Sequence, residues 1–126
     1  MKGKLLLSLG LGGLLLALML GLLALAGPPA ARAADEIFTV NSAGDDPDAN
    51  PGNCQCRTSG GVCTLRAAIQ EANACSGRQT IRFNSPMQIS PGTALPTITG
   101  DGTVIDGSDQ WQVVGGYEVP GVVLNG

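Results

Sequence analysis

The chain has 126 residues, a formal net charge of −3 and no histidine, which excludes Ser-His-Asp and Cys-His catalysis, His-ligated zinc and the HExxH helix. No Gly-Lys-Ser/Thr is present for a P-loop. Downstream of Ala33 the only basic residues are Arg57, Arg66, Arg78 and Arg82, against all ten acids, a balance that argues against nucleic acid or an anionic membrane surface as partner.

The N-terminus reads as an export leader over residues 1–33. Lys2 and Lys4 form a short basic region, and an apolar run follows from Leu5 to Ala26. Gly27-Pro28-Pro29 breaks that run, and Ala31-Arg32-Ala33 supplies the small-x-small pattern for cleavage after Ala33. The run is long enough to span a bilayer if uncleaved, although Gly10, Gly12, Gly13 and Gly21 soften it. Either way, the remainder lies outside the cytoplasm, so membrane association would come only through an uncleaved leader.

Ile37-Phe38-Thr39-Val40 has the composition of a short strand. The stretch Asn41–Asn53 is rich in Asp, Pro, Gly and Asn, as loops are. Within it Asp46, Asp48 and Asn50 have the alternate-oxygen spacing of a calcium loop. Pro51 and Arg57 stand where an EF-hand needs Gly and Glu, so an acidic solvated turn is the expected reading and no metal is assigned. Cys54, Cys56, Cys63 and Cys75 are even in number and close together. In an oxidising compartment they read as two disulfides; their spacing does not match the paired CxxC knuckles of a zinc site. Three pairings are open. Cys54 and Cys56 are too close for an easy bridge, which favours Cys56–Cys63 closing the loop Arg57–Val62 and Cys54–Cys75 pinning a helix end.

That helix is predicted over 64–74. Thr64 is a good N-cap, and Leu65, Ala68, Ile69 and Ala72 recur at i, i+3, i+4 and i+7. Arg66, Gln70, Glu71 and Asn73 are placed on the opposite, polar side, and Ser76-Gly77 ends the helix. From Gln79 onward short β-type runs alternate with turn residues. They are Thr80–Phe83, Gln88–Ser90, Thr97–Thr99, Thr103–Asp106, Gln112–Val114 and Gly121–Leu124, with Ile81, Phe83, Ile89, Ile98, Ile105 and Val113 as inward candidates. Many very short strands imply a solenoid or small barrel rather than a sandwich.

The segment Phe38-Thr39-Val40-Asn41-Ser42, the Asp-Asp-Pro-Asp loop and the run Cys63-Thr64-Leu65-Arg66-Ala67-Ala68-Ile69-Gln70-Glu71-Ala72-Asn73-Ala74 resemble a module. It is the N-terminal domain named for its Cys-Ser-Leu-Arg-Glu-Ala (CSLREA) motif, which follows a signal peptide in large exported bacterial proteins. The resemblance covers roughly residues 36–107 and implies a mainly β fold, with a capping helix followed by the first rungs of a right-handed parallel β-helix. Two departures stand out. Ala67 occupies the place of the Glu that would complete a capping box, and Cys54 and Cys75 add a staple. The implied organisation is a signal peptide at 1–33, a disulfide-stapled capping region at 34–79 and truncated first rungs at 80–126. Rungs run on the order of 20–25 residues and about three are needed for a continuous core, so the chain is expected to be an N-terminal fragment.

Three functions are set against one another. The first is an exported, cell-surface or secreted β-helix protein with a non-catalytic adhesion, display or carbohydrate-contact role, with polysaccharide or cell-surface components as partners and no cofactor. The second is the N-terminal part of a polysaccharide lyase or glycoside hydrolase. Gly100–Trp111 looks like an early structural rung of polygalacturonase-like β-helices, whose catalytic carboxylates lie downstream. Asp101, Asp106 and Asp109 themselves read as turn residues, so no catalytic constellation is assigned to this chain. The third is a small stapled binding module in which Trp111 and Tyr117 stack on sugars.

Overall fold

The computed structural model describes residues 35–126; the leader expected at 1–33 lies outside the described residues. Strand β1 (Glu36–Val40) buries Phe38 and Val40 and exposes Ile37 and Thr39, the alternation of a strand with one face on a core. Strand β2 (Gln79–Phe83) repeats it, with Gln79, Ile81 and Phe83 inward. The two pair in parallel from Glu36 beside Gln79 to Val40 beside Phe83. A third parallel strand, β4 (Val104–Asp106), adds to the far edge of β2 with Thr80 beside Val104 and Ile81 beside Ile105. The shared register stacks Phe38, Ile81 and Ile105 in one row. Thr39, Arg82 and Asp106 form a row on the other face, where Arg82 Nε lies 3.6 Å from Asp106.

Parallel neighbours need a long crossover, and the one between β1 and β2 carries helix α1 (Leu65–Ala74). Its cap is Thr64, in extended conformation, whose hydroxyl accepts the Ala67 N–H at 3.1 Å and donates to the Asp46 carbonyl at 2.6 Å. The hydroxyl thus ties the helix start to the preceding loop as well. Leu65, Ala68, Ile69 and Ala72 are buried with Phe38, Val40, Ile81, Phe83 and Ile89 in one core. Small alanines let the helix backbone lie close to the sheet. Val40 and Ile81 have no exposed surface, and each such burial contributes about 1.5–3 kcal/mol.

Strand β3 (Met87–Ile89) pairs in parallel with β7 (Val122–Leu124). Between β4 and β7, β5 (Trp111–Val114) and β6 (Tyr117–Pro120) form an antiparallel hairpin. Gly115 and Gly116, at φ +60° and +85°, make the two-residue turn that needs positive φ at both positions. The registers carry an internal arithmetic. Thr80 and Val104 are 24 positions apart, whereas Met87 and Val122 are 35 apart. The surplus of 11 is the length of Trp111–Gly121. Consistent with an excursion that returns to its origin, Gly121 packs against the Gln110 carbonyl so closely that no Cβ fits there.

The described part is mainly strands with one short helix, and among the described residues no helix is long and apolar enough to cross a membrane. Several details differ from the sequence reading. Thr97–Thr99 is not a strand. Asn73 of α1 takes up its backbone instead, donating to the Thr97 carbonyl at 2.8 Å and accepting from the Thr99 and Gly100 N–H groups at 2.8 and 3.2 Å. Tyr117–Pro120 is a strand that was not expected. Ile98, Ile105 and Val113 are not interior; they are 42%, 43% and 72% exposed. Ile98 lies in the segment held on the polar side of α1, Ile105 on an edge strand, and Val113 on a hairpin with little packed against it. Glu71, assigned to the polar side of the helix, is completely buried.

Candidate functional site

The best-built part of the molecule is the loop 45–63 and its attachment to α1. Cys54 bridges to Cys75 with Cα atoms 5.6 Å apart, and Cys56 to Cys63 at 5.3 Å. This is the pairing the spacing favoured, and it leaves no thiolate among the four for a metal. Inside the loop, Glu71 acts as an internal anchor. One carboxylate oxygen accepts the Gly52 N–H at 2.7 Å and the other the Gln55 N–H at 3.0 Å. These donors flank Cys54, the one non-glycine with positive φ (58°) among the described residues. A disulfide and a buried carboxylate therefore hold the same turn, whose backbone conformation is strained for a side-chain-bearing residue.

The calcium-loop candidates are used in a similar way. Asp48 accepts the Asn50 N–H at 2.8 Å and the Arg57 N–H at 2.7 Å, and its own N–H donates to Gln70 Oε1 at 2.8 Å. The Asp46 carbonyl receives the Thr64 hydroxyl. Among the described residues no group of three or more cysteines and carboxylates is gathered in a way that could hold a metal ion. Asp48 closes its loop through backbone N–H groups.

The motif residues each have a structural task. Cys63 is bridged and Thr64 caps the helix. Leu65, Ala67 and Ala68 are buried. Arg66 pairs with Asp45 through Nε at 2.9 Å and Nη2 at 3.0 Å. It also donates to the Thr93 and Ala94 carbonyls at 2.8 and 3.0 Å. Asp45 in turn accepts the Gly92 N–H at 2.9 Å. The Arg66 side-chain hydrogen bonds hold the Asp45 carboxyl below its ordinary pKa; burial opposes them, and the Gly92 backbone, the Arg66 charge and the Thr93 backbone add to the lowering. Arg66 and Asn73 together clamp residues 93–100 along one side of the helix.

The three aspartates of the Gly100–Trp111 stretch do not act as a pair across a cleft. Asp106 accepts both the Ser108 N–H at 3.0 Å and the Ser108 hydroxyl at 2.6 Å. Those bonds, and beyond them Arg82, hold its carboxyl below the ordinary value. Asp109 is exposed, with Arg82 Nη1 at 4.0 Å. Asp101 lies on an exposed turn. These contacts make turns.

The hairpin brings the remaining candidates together only in part. Trp111 is opposite Pro120, and Val114 is opposite Tyr117. Directly opposed residues share a face and alternate residues change face, so Trp111 and Tyr117 point to opposite sides of the ribbon. They cannot stack on one sugar ring together. The face of Tyr117 is also that of Gln112, which lines an open groove of about 330 Å³ with Gln88, Pro120, Gly121 and Val123. A larger hollow of about 500 Å³ is mostly apolar and lined by Pro91, Leu95 and Leu124 among others. The reading of single residues missed Gln88 and Gln112; only the alternation across Gly115-Gly116 could have placed Gln112 beside Tyr117. Comparison of the chain with protein-family models, with curated proteins and with solved structures found no match.

Proposed function

We propose that this chain is the stapled cap and first coils of an exported right-handed parallel β-helix protein of the CSLREA type, with a non-catalytic adhesion, display or carbohydrate-contact role. The observation that carries this reading is the pair of parallel ladders, whose steps of 24 and 35 positions differ by the length of Trp111–Gly121. In β1–β2–β4 the pairing puts Phe38, Ile81 and Ile105 in one row, and in β3–β7 it puts Met87 beside Val122 and Ile89 beside Leu124. The 24-position step from Thr80 to Val104 falls in the range of a solenoid coil. The helix, with its alanine-rich stripe, covers the sheet at β1 and β2, as a solenoid end must be covered. Two disulfides favour an oxidising compartment, in keeping with the leader read at 1–33. The carboxylates closest to a catalytic pattern are engaged in turns and ion pairs, which supports the non-catalytic role.

The test is to sequence the genomic DNA beyond the codon for Gly126. A frame that continues with apolar rows spaced near one coil supports the proposal. A stop codon immediately after Gly126 overturns it in favour of a small stapled module. Opposed carboxylates gathered on one lateral face of later coils would replace the non-catalytic role by lyase or hydrolase activity.

A further inference from the structure

We infer that the hairpin makes, with the β3–β7 sheet, a binding groove for a neutral polysaccharide on this chain itself; this rests on the carbohydrate-contact reading above. Gln88 and Val123 are directly paired on the outward face of β3–β7. Gln112 of β5 and Pro120 of β6 line the same groove from the hairpin side. Gln88, Gln112 and Tyr117 are exposed, and no charged side chain lines the groove.

A carboxamide offers two donors and a carbonyl acceptor in one plane. Two of them across a groove can bind the adjacent hydroxyls of a sugar, each of which both donates and accepts. Tyr117, on the Gln112 face of the hairpin beyond the residues that line the groove, adds an apolar platform beside it. It is the diagonal neighbour of Gln112 across the ribbon, a separation of about 7–8 Å, so a ring lying on Tyr117 leaves the next unit of the polymer over the two amides. Aromatic rings with a polar tip suit such half-wet contacts.

The occupant is neutral for two reasons. The groove carries no cation to hold a carboxylate or sulfate. The one charged residue of the hairpin, Glu118, is not among the residues lining the groove. The acidic surplus of the chain downstream of the leader also repels polyanions at a distance.

The experiment is affinity electrophoresis of the exported protein through gels containing a soluble β-glucan, a xylan, a galactomannan or polygalacturonate. The expected result is retardation by at least one neutral polymer. Tyr117→Ala, and separately Gln88→Ala with Gln112→Ala, should weaken it by about tenfold. Tyr117→Phe and Trp111→Ala should leave it in place, the latter because Trp111 does not line the groove and lies on the ribbon face away from Gln112 and Tyr117. Retardation unaffected by the Tyr117→Ala and double glutamine variants overturns this groove but leaves carbohydrate contact by another surface standing. Retardation by polygalacturonate alone, or loss in Trp111→Ala, overturns the assignment of ligand or face. Absence of retardation in every gel overturns both the groove and carbohydrate contact by this chain, while the stacked-coil architecture is judged separately by the reading frame beyond Gly126.

Discussion

In the segment from β1 to β2 the backbone is held from several directions at once, whereas in the β5–β6 hairpin it is held chiefly by its own ladder. Around Cys54 a disulfide, two hydrogen bonds to Glu71 and a closed neighbouring loop all fix the same few residues. Around Val113 and Tyr117, 72% and 77% exposed, there is a two-glycine turn and four cross-strand pairs. A two-stranded ribbon of this kind is marginal by itself. The contrast teaches where the restraints are concentrated: in the stapled loop and the α1–sheet core rather than in the hairpin.

The sharpest way to break that contrast is to remove the Cys54–Cys75 bridge by serine substitution at both positions. The closed loop spans a sequence separation of 21, and loss of such a constraint costs about 3 kcal/mol. A urea midpoint that does not move would show that Glu71 alone suffices to order the turn. Next comes Glu71→Ala, expected to cost about 2–3 kcal/mol because the Gly52 and Gln55 N–H groups lose their charged, buried acceptor. Glu71→Gln keeps one carbonyl acceptor and should lie between alanine and wild type. Equal midpoints for wild type and Glu71→Ala would mean that the loop finds other partners.

Thr64→Ala should cost about 1 kcal/mol through the lost cap, read as a lower thermal midpoint. The Asp45–Arg66 pair gives a dependence on pH. The carboxyl of Asp45 is held below its ordinary value of 3.8, so the stabilisation is present above that value. It is lost as the pH falls through the depressed folded value. Asp45→Asn should flatten that part of the stability–pH curve, and a curve unchanged in shape would remove the clamp from the account. Smallest of all, Val113→Thr on the hairpin should stay within about 0.5 kcal/mol. A larger loss in the denaturation curve would show that the hairpin belongs to the core after all.

The sequence made the helix legible because its signals agree: a capping threonine, an apolar stripe at helical spacing and a Ser-Gly stop. The paired strands at Glu36–Val40 and Gln79–Phe83 were legible for the same reason, since β-branched and aromatic residues alternate there. Glu71 was misread because periodicity reports only the face that meets the sheet. Ala67 and Glu71 sit one turn apart on a flank of that stripe, and what covers them is an irregular loop whose path no pattern of apolar residues announces. Thr97–Thr99 was misread because its composition suits a strand, while the partner that claims its backbone is a side chain, Asn73, from a distant part of the chain. The hairpin was legible in principle, because Gly115-Gly116 between two apolar runs is a turn signal. Reading Tyr117 as an isolated aromatic hid it. Of the groove, the meeting of Gln88 and Gln112 was not visible in the sequence, since it depends on how strands far apart in the chain come together.

The near-contact between Gln110 and Gly121 has a consequence for how such a protein can change. Where a chain leaves its path and returns to almost the same point, the intervening stretch can be lengthened, exchanged or deleted without a shift in the rows on either side. Joining Gln110 directly to Val122 would restore a 24-position step to both ladders. The same position would accept a foreign peptide of different length as readily as the native ribbon. Evolution by insertion and deletion thus has a ready port on the lateral surface, and so does anyone wishing to graft a new recognition loop there.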